Sequence, residues 1–372
     1  MVYNRRRTTM KKTILMGIAA LVVCGSVNAT SWRVCSKSEA GANFLSVADA
    51  VASNTVFAGD TLYIEPGHYE VSAINISKQL ILIGSGYYLS LNQINTMDNS
   101  EVIFSNNVDI TSLGTKIYGC KFLRKITVHN DNVIIGSCYI DGGISTQGNN
   151  AHIYDCYING SFNNGLGQGF YATCLNWIVE NNIIIGCITN SGRDDNYLNW
   201  TVRNNTIMGT PTSTNWDVIY RLYSSQIYNN IVINSNEGFS TTNNPDQTID
   251  TTWYKDFTIT GGNNNNINNN ILSSRNNAEF LNCVFNTKVE DVLIWNGANT
   301  LEEKYKHKAN GPAVGAGVNG TTCGAYGQVN GSRAYQPAGI PQYRPYIYDA
   351  QIDETPSSNN TINASFKIKV QQ

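Results

Sequence analysis

The sequence predicts an all-β protein: a single-stranded right-handed parallel β-helix with an N-terminal capping helix and a C-terminal hairpin-like cap. Three observations predict it. The 372 residues include 51 Asn and 32 Gly but only 8 Pro, and charged residues make up 14%, against roughly 25% in an average globular chain. Positions recur every 18 residues over three copies: Val108, Ile126 and Ile144; Ile117, Ile135 and Ile153; Cys120, Cys138 and Cys156; Phe122, Ile140 and Ile158. The segment Leu175-Asn176-Trp177-Ile178-Val179-Glu180-Asn181-Asn182 returns 23 residues later as Leu198-Asn199-Trp200-Thr201-Val202-Arg203-Asn204-Asn205, and its end returns at Asn229-Asn230 and Asn269-Asn270. A chain rich in Asn, Gly, Ile and Val and poor in Ala, Leu, Glu and Lys is no helical bundle, coiled coil or collagen.

Residues 1–29 read as a signal peptide. Arg5, Arg6, Arg7, Lys11 and Lys12 form a basic start, Ile14 to Val23 a short apolar run, and Val27-Asn28-Ala29 a small-residue cleavage site. The apolar run is about half the roughly 20 residues that span a bilayer, and no other stretch is long enough. Export without a transmembrane segment is therefore expected, to the periplasm, the cell surface or the medium. Five of the 25 Lys and Arg lie in this leader, which leaves 20 basic against 27 acidic residues, a balance of −7. An acidic chain repels phosphate backbones, which argues against a nucleic-acid partner.

Residues 30–345 read as the β-helix. Phe44 to Ser53 predicts an amphipathic helix with Phe44, Val47, Ala48 and Val51 on one face, placed to plug the open end of the first coil. Gly59-Asp60-Thr61-Leu62-Tyr63-Ile64-Glu65-Pro66-Gly67 predicts a strand ended by a Pro-Gly turn, and Leu80 to Ile83 and Val102 to Phe104 predict further early strands. The repeats follow. A coil of about 20 residues cannot bury its apolar face alone, so coils stack ~4.8 Å apart. Six-residue steps from Ile117 reach Leu123, His129, Ile135 and Asp141, so every second step is polar and the hexapeptide pattern of left-handed helices fails after Leu123; right-handed crossovers are expected. The gap between Asn230 and Asn270 has room for an ordinary coil plus an inserted loop around Glu237 to Lys255.

The register Cys120, Cys138, Cys156, Asn182, Asn205, Asn230, Asn270 predicts one inward column. An inward amide offers donors and acceptors to the coils above and below, so an Asn column satisfies itself. Cys fills the same slot as a small apolar residue; the close-spaced Cys pairs or nearby His of a metal site are missing. Of the remaining cysteines, Cys174 and Cys187 form the candidate disulfide. Residues 346–372 alternate apolar and polar over Tyr346 to Ile352 and Thr361 to Val370, with a turn at Pro356 to Asn360. They predict paired strands packing on the last coil, or an attachment strand pair.

The helix, then Gly59-Asp60-Thr61-Leu62-Tyr63-Ile64-Glu65-Pro66-Gly67-His68-Tyr69-Glu70, then Asn-marked coils, resemble the start of secreted right-handed parallel β-helix proteins of the pectate-lyase-like superfamily. The tail Gly311-Pro312-Ala313-Val314-Gly315-Ala316-Gly317, with Cys323-Gly324-Ala325-Tyr326-Gly327 and Gly339-Ile340-Pro341, is similar to the closing segment of many such proteins from Bacteroidetes. Neither end is specific for an activity, and relatives that cleave acidic polysaccharides need recognisable parts. A lyase of that kind needs a basic residue to take a proton and acidic residues to hold Ca²⁺ against a uronate; a hydrolase needs paired carboxylates. Gly-His-Gly and Arg-Ile-Lys, which the resemblance would require of a polygalacturonase, are missing. The four His, at 68, 129, 152 and 307, are scattered and read as solvated or turn residues.

One constellation remains. Counted from the repeat anchors, Tyr171, Arg193, Asp194, Asp195, Asp217, Tyr220 and Arg221 fall at similar coil positions, so stacking brings them toward one lateral face. Arg with carboxylates and Tyr there would grip a sugar or bind Ca²⁺, the one cofactor this reading admits. Trp177 and Trp200 share the parity of Val179 and Val202 and belong to the core. Trp216 and Trp253 lie near irregular segments and are candidate sugar platforms. The expected function is a non-catalytic exported protein that engages a polysaccharide or cell-surface glycan. A uronic-acid polysaccharide lyase, with or without Ca²⁺, and a structural surface module are the alternatives.

Overall fold

Each coil lays down three short strands separated by turns, so stacking builds three parallel sheets around one interior. The computed structural model describes residues 29–69, 72–88, 101–160, 170–172, 175–189, 198–209, 218–220, 222–234, 259–260, 266–273, 280–285, 287–328, 334–339, 345–352 and 364–370. Among them, sheet A has ten strands from Ser31–Val34 to Asn266–Asn268, sheet B nine from Gly67–Tyr69 to Ile271–Leu272, and sheet C eight from Ile74–Ile76 to Ile259–Thr260. The architecture is a right-handed parallel β-helix.

The spacing read from the sequence is the register of these sheets. Ile117, Ile135, Ile153, Val179, Val202, Ile227 and Ile267 pair in succession in sheet A. Phe122, Ile140 and Ile158 do so in sheet B, and Val108, Ile126 and Ile144 in sheet C. These inward columns are buried almost without remainder. Deviations from a strict 18-residue repeat fall between strands. The step from Asn230 to Asn270 is one coil, not two, because Tyr228 pairs directly with Asn268 and Tyr220 with Thr260. The extra residues of that coil, 235–258, lie outside the described residues.

The predicted column is present, with a chemistry richer than expected. Cys120, Cys138, Cys156, Asn182, Asn205, Asn230 and Asn270 have no exposed surface. Asn205 Nδ2 donates to Val179 O at 2.8 Å, to Arg203 O at 2.9 Å and to Asn230 Oδ1 at 3.0 Å. Cys156 Sγ lies 3.2 Å from Tyr154 O and 3.6 Å from Ile135 O, the same two carbonyl positions. The cysteines therefore act as weak donors in the amide slot, not merely as small apolar fillers. At the far end Asn270 N donates to Cys283 Sγ at 3.4 Å, so an eighth residue closes the column.

The residue before each ladder position turns the corner. Ser137, Asp155, Asn181, Asn204, Asn229, Asn269 and Asn282 all have φ between 50° and 57°. Asn and Asp tolerate this left-handed region better than other residues with a Cβ. In each Asn-Asn pair the first member bends the backbone and the second bonds the interior. Trp177 and Trp200 stack inside at 5.2 Å and 12°, with Trp177 Nε1 donating to Gly148 O at 3.0 Å.

At the N-terminal end the helix is shorter than its hydrophobic pattern suggests. It spans Val47–Ala52, because Ser46 caps it by accepting from Asp49 N. Val47, Ala50 and Val51 are its buried residues and Ala48 is exposed; Phe44 lies upstream of the cap, bridged to Val34. Asp60 anchors this end. It is fully buried and accepts from Thr30 N at 2.7 Å, Trp32 Nε1 at 2.8 Å and Phe57 N at 2.9 Å. Burial alone would raise its pKa, but these bonds and the charge of Lys78 hold it below the ordinary value.

The tail takes an unforeseen route. It runs back over sheet B, toward the N-terminus, and the outward corner Asn side chains clasp it. Asn269 Nδ2 donates to Ala316 O at 2.9 Å. Asn229 Oδ1 accepts from Val318 N at 2.8 Å. Asn181 Nδ2 donates to Ala325 O and Gly327 O, both at 3.1 Å, and Tyr87 N donates to Ala338 O at 2.8 Å. Beneath it lies a second core in which Tyr139, Tyr157, Ile183 and Ile231 meet Tyr305, Cys323, Ala325 and Tyr335. Sheet B is thus apolar on both faces, and its outer face is not a free surface. The antiparallel hairpin Pro345–Ile352 with Ala364–Val370 forms as predicted. Bridges Asn268 to Leu281 and Ile271 to Val284 continue the last coil into Phe280 to Phe285.

Candidate functional site

With sheet B covered, the lateral faces of sheets C and A remain. On sheet C, Phe170–Ala172, Ile188–Thr189 and Ile219–Tyr220 are consecutive neighbours. Tyr171 pairs with Thr189 and Thr189 with Tyr220, so the two tyrosines hold one register column two steps apart. Arg193, Asp194, Asp195, Asp217, Arg221 and Trp253 lie outside the described residues, as do Trp216 and Cys174. Their chain positions follow from the strands: Arg193 to Asp195 and Arg221 belong to connections leaving sheet C, and Asp217 and Trp253 to connections entering it.

Sheet A carries a polar constellation that sequence reading did not assemble. Alternation turns the residues beside the inward column outward. Tyr118, Gly136, Tyr154, Glu180, Arg203, Tyr228 and Asn268 therefore form one outward column, in successive pairs. Glu180 lies at its centre, 9% exposed. His152 Nε2 donates to Glu180 Oε1 at 2.7 Å, and Arg203 Nε donates to Glu180 Oε2 at 2.6 Å. Arg203 Nη1 donates to the Tyr228 hydroxyl at 3.1 Å. Burial opposes the charge on Glu180, but the bond from His152 and the Arg203 guanidinium outweigh it and hold the carboxyl below the ordinary glutamate value. His152 is thus no solitary turn residue: it lies in a strand, bonded to a carboxylate and 4.7 Å from the Tyr154 ring. Gly136 makes room here, since a Cβ would sit 2.7 Å from Tyr154 Cζ and 3.1 Å from Tyr118 Cδ1.

Beyond Tyr228 the tail stands off from sheet A and leaves an open groove of about 360 Å³. Thr201, Gln226, Tyr228 and Asn268 form one wall, and the tail near Asn319 and Thr321 the other. The arrangement offers amides, hydroxyls and one ring, with the nearest carboxylate and guanidinium already bonded to each other. Among the described residues no three His, Cys, Asp or Glu side chains converge as metal ligands, and no helix is long and apolar enough to cross a membrane. No family model, curated protein or solved structure matches this chain.

Proposed function

We propose that this is an exported β-helix protein of the pectate-lyase-like kind that engages a polysaccharide or cell-surface glycan through the lateral face of sheet C. The observation that carries the reading is the register of Tyr171, Thr189 and Tyr220. Connections that contain Arg193, Asp194, Asp195 and Arg221 leave sheet C from neighbouring strands, and the one with Asp217 enters beside them. Paired strands hold the register of Tyr171, Thr189 and Tyr220 rigidly, which preorganises a binding surface. The carboxylates of Asp194, Asp195 and Asp217 are the oxygen ligands that Ca²⁺ takes, and the Arg221 guanidinium is the fork that a sugar carboxylate takes.

A panel of uronic-acid polysaccharides, tested with and without Ca²⁺ for binding and for the ultraviolet-absorbing unsaturated product of β-elimination, tests the proposal. Binding without product supports a glycan-engaging protein; product release supports the lyase alternative at the same face. The pair Asp195→Ala and Arg221→Ala is expected to abolish either signal while the melting curve stays in place. Full affinity in that double variant would move the site elsewhere, with the segment around Trp253 as the next candidate.

A further inference from the structure

We propose that the groove between sheet A and the tail is a second, separate binding site, and that it takes an uncharged polyhydroxylated ligand, a sugar ring of a neutral glycan. The proposal shares with the preceding section the idea that the protein engages glycans, but it concerns another face and another class of sugar.

Four observations carry it. First, the lining is uncharged: Thr201, Gln226, Tyr228 and Asn268 face Asn319 and Thr321 of the tail. Neutral amides and hydroxyls match sugar hydroxyls as both donors and acceptors. The adjacent cation, Arg203, is bonded to Glu180 and Tyr228, so a uronate would enter without a counter-charge. Second, the tail wall is preformed. Asn229 accepts from Val318 N at 2.8 Å and donates to Thr321 Oγ1 at 3.2 Å, and Thr321 Oγ1 donates to Val318 O at 2.8 Å. Third, the Tyr228 ring is anchored at its hydroxyl by Arg203, whose own position is set by Glu180 and His152. A fixed aromatic ring beside polar groups suits the apolar face of a pyranose. Fourth, Asn268 Oδ1 is a buried acceptor with no hydrogen-bond partner, at the edge of this groove. A donor brought by a ligand hydroxyl, with a small rotation of the amide, would satisfy an atom the protein itself leaves unpaired. The size, about 360 Å³, lies within the range of small-molecule sites.

The test uses the full chain on immobilised neutral oligosaccharides (β-glucan, xylan, mannan and galactan series) beside oligogalacturonides. At least one neutral series is expected to bind. Tyr228→Ala should weaken that binding about tenfold, as loss of a stacking platform does. Gln226→Ala, at an exposed position that does not support the core, should weaken it several-fold with an unchanged melt. The Asp195→Ala and Arg221→Ala pair should leave it unaltered. Three outcomes overturn the proposal: no neutral series binds, neutral binding survives both groove variants, or neutral binding is lost with the sheet C pair. Binding of oligogalacturonides alone, lost with the sheet C pair, would sustain the proposed function and end this one.

Discussion

The backbone N–H of Asn182 and its side-chain Nδ2 both donate to the Oδ1 of Asn205, each at 3.0 Å. One amide oxygen thus closes two donors of the neighbouring coil, and the same bonding recurs from Asn205 to Asn230 and from Asn230 to Asn270. These coils differ in length, with steps of 23, 25 and 40. The ladder is where chains of unequal contour are brought back into one register, and that register positions the outward columns on sheets A and C.

The cysteines of the column make a first prediction. Cys138 and Cys156 are free thiols with no exposed surface, and burial pushes the Cys156 thiol well above its ordinary value. Neither sulfur is open to a reagent, so both should resist alkylation in the native protein and label fully in denaturant. Mass spectrometry after a short iodoacetamide pulse checks this; rapid native labelling of Cys156 would contradict its place in the interior.

Asn229 serves two purposes that substitution can separate. Its φ of 57° favours Gly or Asn, and its side chain holds Val318 and Thr321 of the tail. Asn229→Gly keeps the bend and loses the clasp; Asn229→Ala loses both. Limited proteolysis should cut the 311–339 tail faster in both variants. Asn229→Ala should be the less stable by about 1 kcal/mol, the cost of a left-handed residue with a Cβ.

Glu302 sets a pH dependence of opposite sign to that of a surface carboxylate. It is 3% exposed; Ala338 N donates to its Oε2 at 3.0 Å, and the Tyr335 hydroxyl donates to its Oε1. Tyr87 and Tyr335 hydroxyls are 2.6 Å apart behind it. Burial dominates these bonds and raises its pKa above the ordinary 4.5. A raised folded-state value means that its contribution is fully present below that ordinary value and is lost as pH rises through the folded one. Glu302→Gln, which keeps an acceptor but no charge, should therefore gain stability relative to wild type as pH goes from acid to neutral. Thermal melts across that range check the sign; a growing deficit of the variant at neutral pH would refute it.

Much of this molecule was legible because a solenoid writes its tertiary contacts as sequence spacings. The inward columns, the Cys-to-Asn ladder and the Trp177–Trp200 stack are all intervals between like residues. The network of Glu180 and Arg203 was available by the same logic: they follow Val179 and Val202, which the repeat already aligned, yet unlike residues in one column give no repeat to notice. The donor role of the thiols was hidden because Cys156 reads as apolar until its carbonyl neighbours are in place. The route of the tail was hidden for another reason. Asn181 meets Ala325 across 144 residues, and nothing local in either segment marks the other. The helix reads too long in the sequence because Phe44 fits the same apolar face as Val47 and Val51 by pattern, and the Ser46 cap is what sets its start.

The ladder is the claim on which the fold and both binding faces depend, and Asn205→Leu tests it most directly. Leu is close in size but removes the acceptor of Asn182 N and Nδ2 and the donors to Val179 O, Arg203 O and Asn230 Oδ1. Equilibrium denaturant unfolding of this variant beside wild type should show a loss of about 1–3 kcal/mol, the cost of leaving buried polar groups unpaired. A midpoint and slope that match wild type within error would mean that Asn205 does not sit in a buried ladder, and the register built on it would fall.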